Sequence, residues 1–442
     1  MAEAVEIGDG PTAAATGGSG TANKRHRRRG LVALAFASIV DGFEGGLVNT
    51  LFPVIRDALN LQTSALGIMA AISRFARMLA GPAWAVLADR YGRKKILFIA
   101  TGLWGLWTVA AGFAQDFTQL LILFSLGVIG TVAAEPIVNG LITDNYESHE
   151  RGRAFGLLRT MTTAGSVLGT PLIGHLADSP DGWRWGMFLT GGISVLSGVL
   201  ILVFVRESET PARADAPAGV IEFNLRDAAR LLRTKTVLFM AVQVVLTTSM
   251  VLFAFFVTYF VDTRGWSTAA AATLMGVFML GAVLGGLAGG YLGDGFERRF
   301  GPRGRIILMQ GYLVAYAAST VLLFQLDWGR GVAVYAMAFV TGLIGFVGHP
   351  GAVLPIVGSV VPKNVVATAY ALIFSFIQGA FAAIFSLAFG FLADTLGLET
   401  LMLWLISVPY AINAVLWTAM YRIYPKDVAA ARARAAEEQA SA

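Results

Sequence analysis

Residues 85–95 read Ala85-Val86-Leu87-Ala88-Asp89-Arg90-Tyr91-Gly92-Arg93-Lys94-Lys95. An apolar run ends on an acid, turns at a glycine and leaves on consecutive cations. Asp89 suits a helix terminus, and Gly92 permits the sharp turn that a side chain would strain. Later in the chain Gly290-Tyr291-Leu292-Gly293-Asp294 closes another apolar run, followed by Arg298, Arg299, Gly301, Arg303 and Arg305. The same device at equivalent places is the mark of a duplicated unit.

Around these loops the chain is apolar almost throughout. Of 442 residues, 56% are hydrophobic and only 14% charged, with a mean hydropathy of +0.67. Soluble chains carry roughly a quarter charged residues, so there is too little charge here to cover a water-facing surface. A membrane span needs about 20 apolar residues. Apolar runs fall near 31–53, 63–88, 95–115, 118–142, 153–178 and 185–205, then near 237–261, 267–293, 305–326, 332–360, 365–392 and 400–424. The pattern predicts an all-α membrane protein with twelve transmembrane helices in two pseudo-symmetric six-helix bundles, 30–206 and 236–424. A disordered basic tail (1–29), a linker (207–235) and a C-terminal tail (425–442) complete it. Within the linker, Phe223 to Leu232 is amphipathic and suits a surface helix. The absence of Cys excludes disulfides and thiolate metal sites, and four scattered His lack zinc spacing.

The sequence pI near 9.5 does not point to nucleic acid, because the cations flank the apolar runs. Of 33 Lys and Arg, 26 lie in the tails and in the loops on the tail side, and four (Arg56, Arg184, Arg264, Arg330) in the opposite loops. The positive-inside rule then puts both termini in the cytoplasm of a bacterial cell, with the spans in its inner membrane.

The remaining three, Arg74, Arg77 and Arg159, lie inside spans, as do Asp41, Glu44 and Glu135. Ionisable groups at that depth are costly and mark function by default. At about 1.5 Å per residue, Asp41 and Arg74 should meet near the midplane, and Glu135 and Arg159 near the level of Arg77. The expectation is one buried, nearly neutral network of three carboxylates and three guanidinium groups. A carboxylate whose cation moves away would then take up a proton. A static ion pair is the alternative for each, and Arg77 or Arg159 could instead hold an anionic substrate group. The second set of spans has no interior charge. It offers His349, Gln243, Gln378 and Asn413, with Phe253, Phe255, Phe256, Tyr259, Phe374, Phe376 and Phe381 as candidate cavity wall. One charged and one apolar half suit an amphipathic substrate.

Residues 85–95 resemble the signature loop of the major facilitator superfamily, with Ala85 where that family usually has Gly. Span 5, with Gly156, Gly165, Gly169, Pro171 and Gly174, resembles the Gly/Pro pattern of its proton antiporters. The resemblance implies a secondary transporter rather than an enzyme, working by alternating access as a monomer without a cofactor. Asp89, Arg90, Gly92, Arg93 and Asp294 would form a cytoplasmic gate; protons, membrane lipids and a small amphipathic or anionic solute would be the partners. Gly130 through Glu135-Pro136 and Asp144 to Arg151-Gly152 is similar to Spinster-type lysolipid transporters. Those proteins have Arg where Gly42 stands and an acid where Thr131 stands. Asp41-Gly42-Phe43-Glu44 also resembles the Asp-Gly-x-Asp motif of aromatic-acid/proton symporters. A lysolipid-like solute is therefore the first expectation, with organic-acid symport and multidrug efflux as alternatives.

Overall fold

The computed structural model describes residues 17–146, 148–205, 231–247, 252–362 and 365–441, and all their regular structure is helical. The first half contains α1 (Gly17–Leu59), α2 (Ser64–Tyr91) and α3 (Arg93–Leu97), which passes through a π-helical turn (Phe98–Leu103) into α4 (Gly105–Ala111). It continues with α5 (Phe117–Thr131), α6 (Ala134–Asn145), α7 (Ser148–Leu176) and α8 (Gly182–Phe204). The second half opens with α9 (Lys235–Leu246), α10 (Leu252–Arg264), α11 (Thr268–Phe300), α12 (Arg303–Gln325) and α13 (Val332–Gly345). A π-helical turn (His349–Val353) leads to α14 (Leu354–Val360), and another (Ala371–Ile377) joins α15 (Val366–Tyr370) to α16 (Gln378–Leu396). Then come α17 (Leu398–Leu401), a π-helical turn (Met402–Ser407), α18 (Val408–Leu416) and α19 (Met420–Ser441).

Eight helical stretches among the described residues are long and apolar enough to cross a membrane. The other expected runs are helical too, but less uniformly apolar. Run 63–88 carries Arg74 and Arg77, run 153–178 carries Arg159, and run 95–115 is interrupted at Trp104. Run 237–261 crosses residues 248–251, which lie outside the described set, as does all of the amphipathic linker segment except Leu231 and Leu232. The tail departs from the disorder expected over 1–29, because α1 already begins at Gly17. No proline interrupts it before Pro53, and extending an existing helix avoids the cost of nucleation.

Three apolar clusters hold the molecule together, and their placement gives it its shape. One is shared by both halves and joins Leu51, Phe52, Ile55 and Leu66 to Phe255, Phe256, Tyr259 and Phe389. It sits at the end that carries the α1–α2 turn, called here the turn end. The end carrying the 89–95 and 294–305 loops, the basic end, has a separate cluster in each half: Leu34, Trp84, Leu97 and Leu141 in one, Met309, Val357, Trp417 and Tyr424 in the other. Two bundles with a common core at one end and individual cores at the other splay apart toward the basic end.

Close helix crossings make the shared end tight. α2 packs on α16, α7 on α11 and α1 on α10. At the first crossing a Cβ on Gly67 would stand 2.6 Å from the Ser386 carbonyl oxygen and 2.9 Å from Gly390 Cα. Within the second half, the Gly281, Gly285, Gly289 and Gly293 stripe of α11 lies against the carbonyls of Phe339, Leu343, Val347 and Gly351, one per turn. That stripe is packing, the means by which membrane helices approach without a hydrophobic driving force. Substituting Gly67→Val should overpack the α2–α16 crossing and cost about 1–3 kcal/mol, read as a lower melting temperature of the purified protein. An unchanged melt would show that the crossing is not tight.

Candidate functional site

α1 and α2 run antiparallel from a short turn, so Asp41 and Glu44 on one face Arg74 and Arg77 on the other. All four line one cavity of about 310 Å³ between the halves. Asn49, Ser73, Thr108 and Thr131 add neutral polar groups, while Phe124 and Met187 of the first half and Phe253 and Ala254 of the second close it with apolar surface. The charges act on one another: Arg77 and Glu135 on Asp41, Asp41 on Glu44, and Arg77 on Arg74. Arg74 also reaches across the halves, where its Nε donates to Ser386 Oγ at 3.2 Å. The Oε1 atom of Glu44 is buried with no hydrogen-bond partner, a costly state for a carboxylate oxygen.

Asp41 is held in place by its neighbour. A Cβ on Gly42 would overlap the Thr162 carbonyl oxygen, and one on Gly165 the Ile39 carbonyl oxygen. Ser166 Oγ donates to Gly42 O at 3.2 Å. α1 and α7 thus touch backbone to backbone at this level. An Arg at position 42, the Spinster-type residue, cannot enter that contact.

The expected single network is corrected in one respect. Glu135 and Arg159 do pair, at 3.5 Å, but their side chains are 61% and 83% exposed. They lie closer to the basic end, where the cores of the halves have separated, so the pair sits outside the closed part of the cavity. His349 belongs to neither group; its ring meets Phe374 edge-on with centroids 5.1 Å apart. Phe255, Phe256 and Tyr259, expected in the cavity wall, are fully buried in the shared core. Their period along α10 turns them to other rings, and only Phe253 reaches the cavity.

At the basic end each half repeats one arrangement. Gly92 turns the chain with φ of +100°. Arg93, beyond it, donates to Asp89 Oδ1 at 2.8 and 3.0 Å and to Asp144 Oδ2 at 2.8 Å. In the second half Arg305 donates to Asp294 at 2.8 Å, to Glu297 at 2.7 Å and to the Gly351 carbonyl at 2.7 Å. An acid near the basic end of one helix is therefore tied through an arginine to a third segment in both halves. The sequence exposed the acids but not which of four arginines serves Asp294; Arg305 is distinguished by its burial. Arg90 remains outside this set, over the ring of Tyr91.

The turn end is closed by polar contacts that the sequence did not reveal. Asp394 of α16 accepts from the backbone N–H of Thr63 at 2.8 Å and of Ser64 at 3.2 Å, capping α2 from the other half. Arg56 pairs with Asp262 across the same gap at 2.5 Å. Both depend on residues more than 200 positions apart, which leave no local signal.

A sequence model of the Major Facilitator Superfamily matches residues 34–383. The chain is 25% identical to a hexuronate transporter of Bacillus subtilis over 66% of its own length and 70% of that protein. It is 29% identical to multidrug resistance protein MdtG of Proteus mirabilis, over 73% and 76% respectively. It is 25% identical to protein spinster homolog 1 of Xenopus laevis over 43% of this chain and 35% of that one. Among solved structures, a bacterial homolog of the human lysosomal transporter Spinster, inward-facing and unoccupied, superposes with a TM-score of 0.75. It covers 91% of this chain and 98% of that one, at 19% identity.

Because the chain has no cysteine, one introduced thiol reports access cleanly. Ser73→Cys should react with a membrane-impermeant maleimide from the basic end and stay protected from the turn end. Adding Asp394→Ala removes the cap, worth about 0.5–2 kcal/mol, and should raise labelling from the turn end. Equal labelling from both sides without Asp394→Ala would contradict the closure described.

Proposed function

The chain belongs to the Major Facilitator Superfamily, and we propose that it is a proton-coupled secondary transporter of an amphipathic organic substrate bearing an acidic group. Family membership makes it a multi-pass membrane transporter rather than an enzyme. The finer reading rests on one observation: two carboxylates and two guanidinium groups share a cavity between the halves with apolar surface from the second half.

The charges in that cavity balance, so neither sign has a surplus. An acidic substrate group that engages Arg74 and Arg77 withdraws their charge from Asp41 and Glu44. A carboxylate left uncompensated in an apolar span is expensive, and binding a proton relieves the cost. Anion and proton then enter together. Glu44, whose Oε1 has no donor, is the acceptor deepest in the cavity, and Asp41 stands beside it. The Glu135–Arg159 pair is exposed at a depth where a charge facing lipid would be untenable. It therefore faces the cleft, where it can pass protons between Asp41 and water.

The 26-to-4 distribution of cations makes the basic end cytoplasmic, so this conformation opens to the cytoplasm, with twelve spans in two six-helix bundles. Opening the other way requires Asp394 to leave α2, Arg56 to leave Asp262 and the shared core to part. At the basic end the arginine-tied loops then approach. A lysolipid-like substrate is the large member of the proposed class, supported by the apolar second half and the Spinster likeness. A small organic acid is the compact member, supported by the cavity size and the hexuronate-transporter likeness. Multidrug efflux of cations fits less well, since no carboxylate is in excess.

In proteoliposomes Asp41→Asn and Glu135→Gln should bind substrate but lose accumulation driven by a pH gradient; full gradient-driven transport by both would refute the coupling. Arg77→Gln should weaken binding of the acidic substrate itself, by about tenfold or more for a lost charged hydrogen bond. A melting screen of the purified protein against lysolipids, fatty acids, aromatic acids and cationic drugs identifies the class, because ligands of the folded state raise its melting temperature. Stabilisation by cations or neutral sugars alone would overturn the acidic-substrate assignment.

A further inference from the structure

A second concavity lies far from the charged cavity, at the basic end of the second half. It has a volume of about 760 Å³ and is walled by the residues leading into α9, the end of α14 and the middle of α19. Its charged groups are Arg233, Lys235, Arg422, Lys426, Arg434 and a single acid, Asp427. The acid is already engaged: its Oδ2 accepts from the backbone N–H of Thr236 at 2.8 Å and from the Thr236 hydroxyl at 2.7 Å. That bond staples the start of α9 to α19 and fixes the mouth of the pocket. None of the five cations makes an ion pair among the described residues. Five cations around one concavity repel each other, and an anion among them relieves that repulsion.

The surroundings specify what kind of anion. On α9, Leu238 and Val242 follow Lys235 at spacings of three and seven, hence on the same face, and are 50% and 52% exposed. On α18, which leads into α19, Ile412, Val415 and Leu416 are exposed as well. α9 packs against both α18 and α19. Two exposed apolar stripes therefore run side by side and end in the basic pocket, where the helices leave the hydrocarbon. Basic pockets between helix ends at that boundary suit phosphate headgroups, with about 1 kcal/mol of attraction per cation near an anionic surface.

We propose that this pocket binds the phosphate headgroup of an anionic phospholipid, with its acyl chains along the α9 and α18 stripes. The site is separate from the substrate cavity and independent of what that cavity carries. It ties the first helix of the second half to the last through a lipid that neutralises both ends.

The test uses the full chain in a non-ionic detergent, with melting temperature as readout. Dioleoyl phosphatidylglycerol should raise it by several degrees relative to dioleoyl phosphatidylcholine, while inorganic phosphate at matched ionic strength should not. The gain should vanish in Arg422→Gln/Lys426→Gln/Arg434→Gln and fall partway in Arg233→Gln/Lys235→Gln, which alters only the opposite wall. Asp41→Asn should keep the full gain, since it touches the other cavity. A gain that persists in both multiple variants, or equal gains from phosphatidylcholine, would remove the site. A gain of the same size from inorganic phosphate would make it a soluble-anion site and overturn the lipid assignment.

Discussion

A charge in hydrocarbon is tolerated only where protein or water surrounds it, and this constraint organises the molecule. Asp41, Glu44, Arg74 and Arg77 lie on the first two spans, so those spans must turn their charged faces inward. The inward face meets Phe253 and Ala254 of the second half, alongside apolar residues of the first half such as Phe124 and Met187. The cavity exists because the cost of four charges is lowest when they share one enclosed space. Everything that fixes α1 and α2 therefore serves the site: the backbone contact of Gly42 with α7, the α2–α16 crossing at Gly67 and the cap from Asp394.

That cap shows how the two halves communicate. The first N–H groups of any helix lack internal partners. Here those of α2 are satisfied by a carboxylate from the opposite bundle, and Arg74 of the same helix donates to Ser386 of the same partner helix. α2 thus carries cavity-facing cations and is clamped to α16 at two levels. Movement of one half relative to the other cannot leave the cavity unchanged, which is the physical requirement for coupling a gate to a site.

The two halves repeat one arrangement at the basic end but divide the chemistry. Each builds the same acid–arginine tie at its basic end, one through Arg93 and one through Arg305. Among the described residues, the four charges that line the cavity all come from the first half. The second contributes aromatic packing that seals the turn end, with Tyr259 donating to the Phe324 carbonyl inside a cluster of rings. Its own cations gather instead at the basic end, around α9 and α19.

Much of this was legible in the sequence. Apolar runs, the uneven distribution of cations and the two Asp-ended loops are local, periodic signals, because a helix in lipid must satisfy its backbone internally and be apolar outside. They located the apolar helical runs and the repeated Asp loops, and they marked six ionisable residues inside the spans as candidates, without saying which four reach the cavity. Tertiary structure decided what depends on distance across the chain. It separated Glu135 and Arg159 from the enclosed cavity, turned Phe255, Phe256 and Tyr259 into the core, and selected Arg305 among four arginines. It also brought Asp394 to Thr63. The physical reason is the same in each case: a period along one helix says which side chains share a face, and only packing says what that face meets.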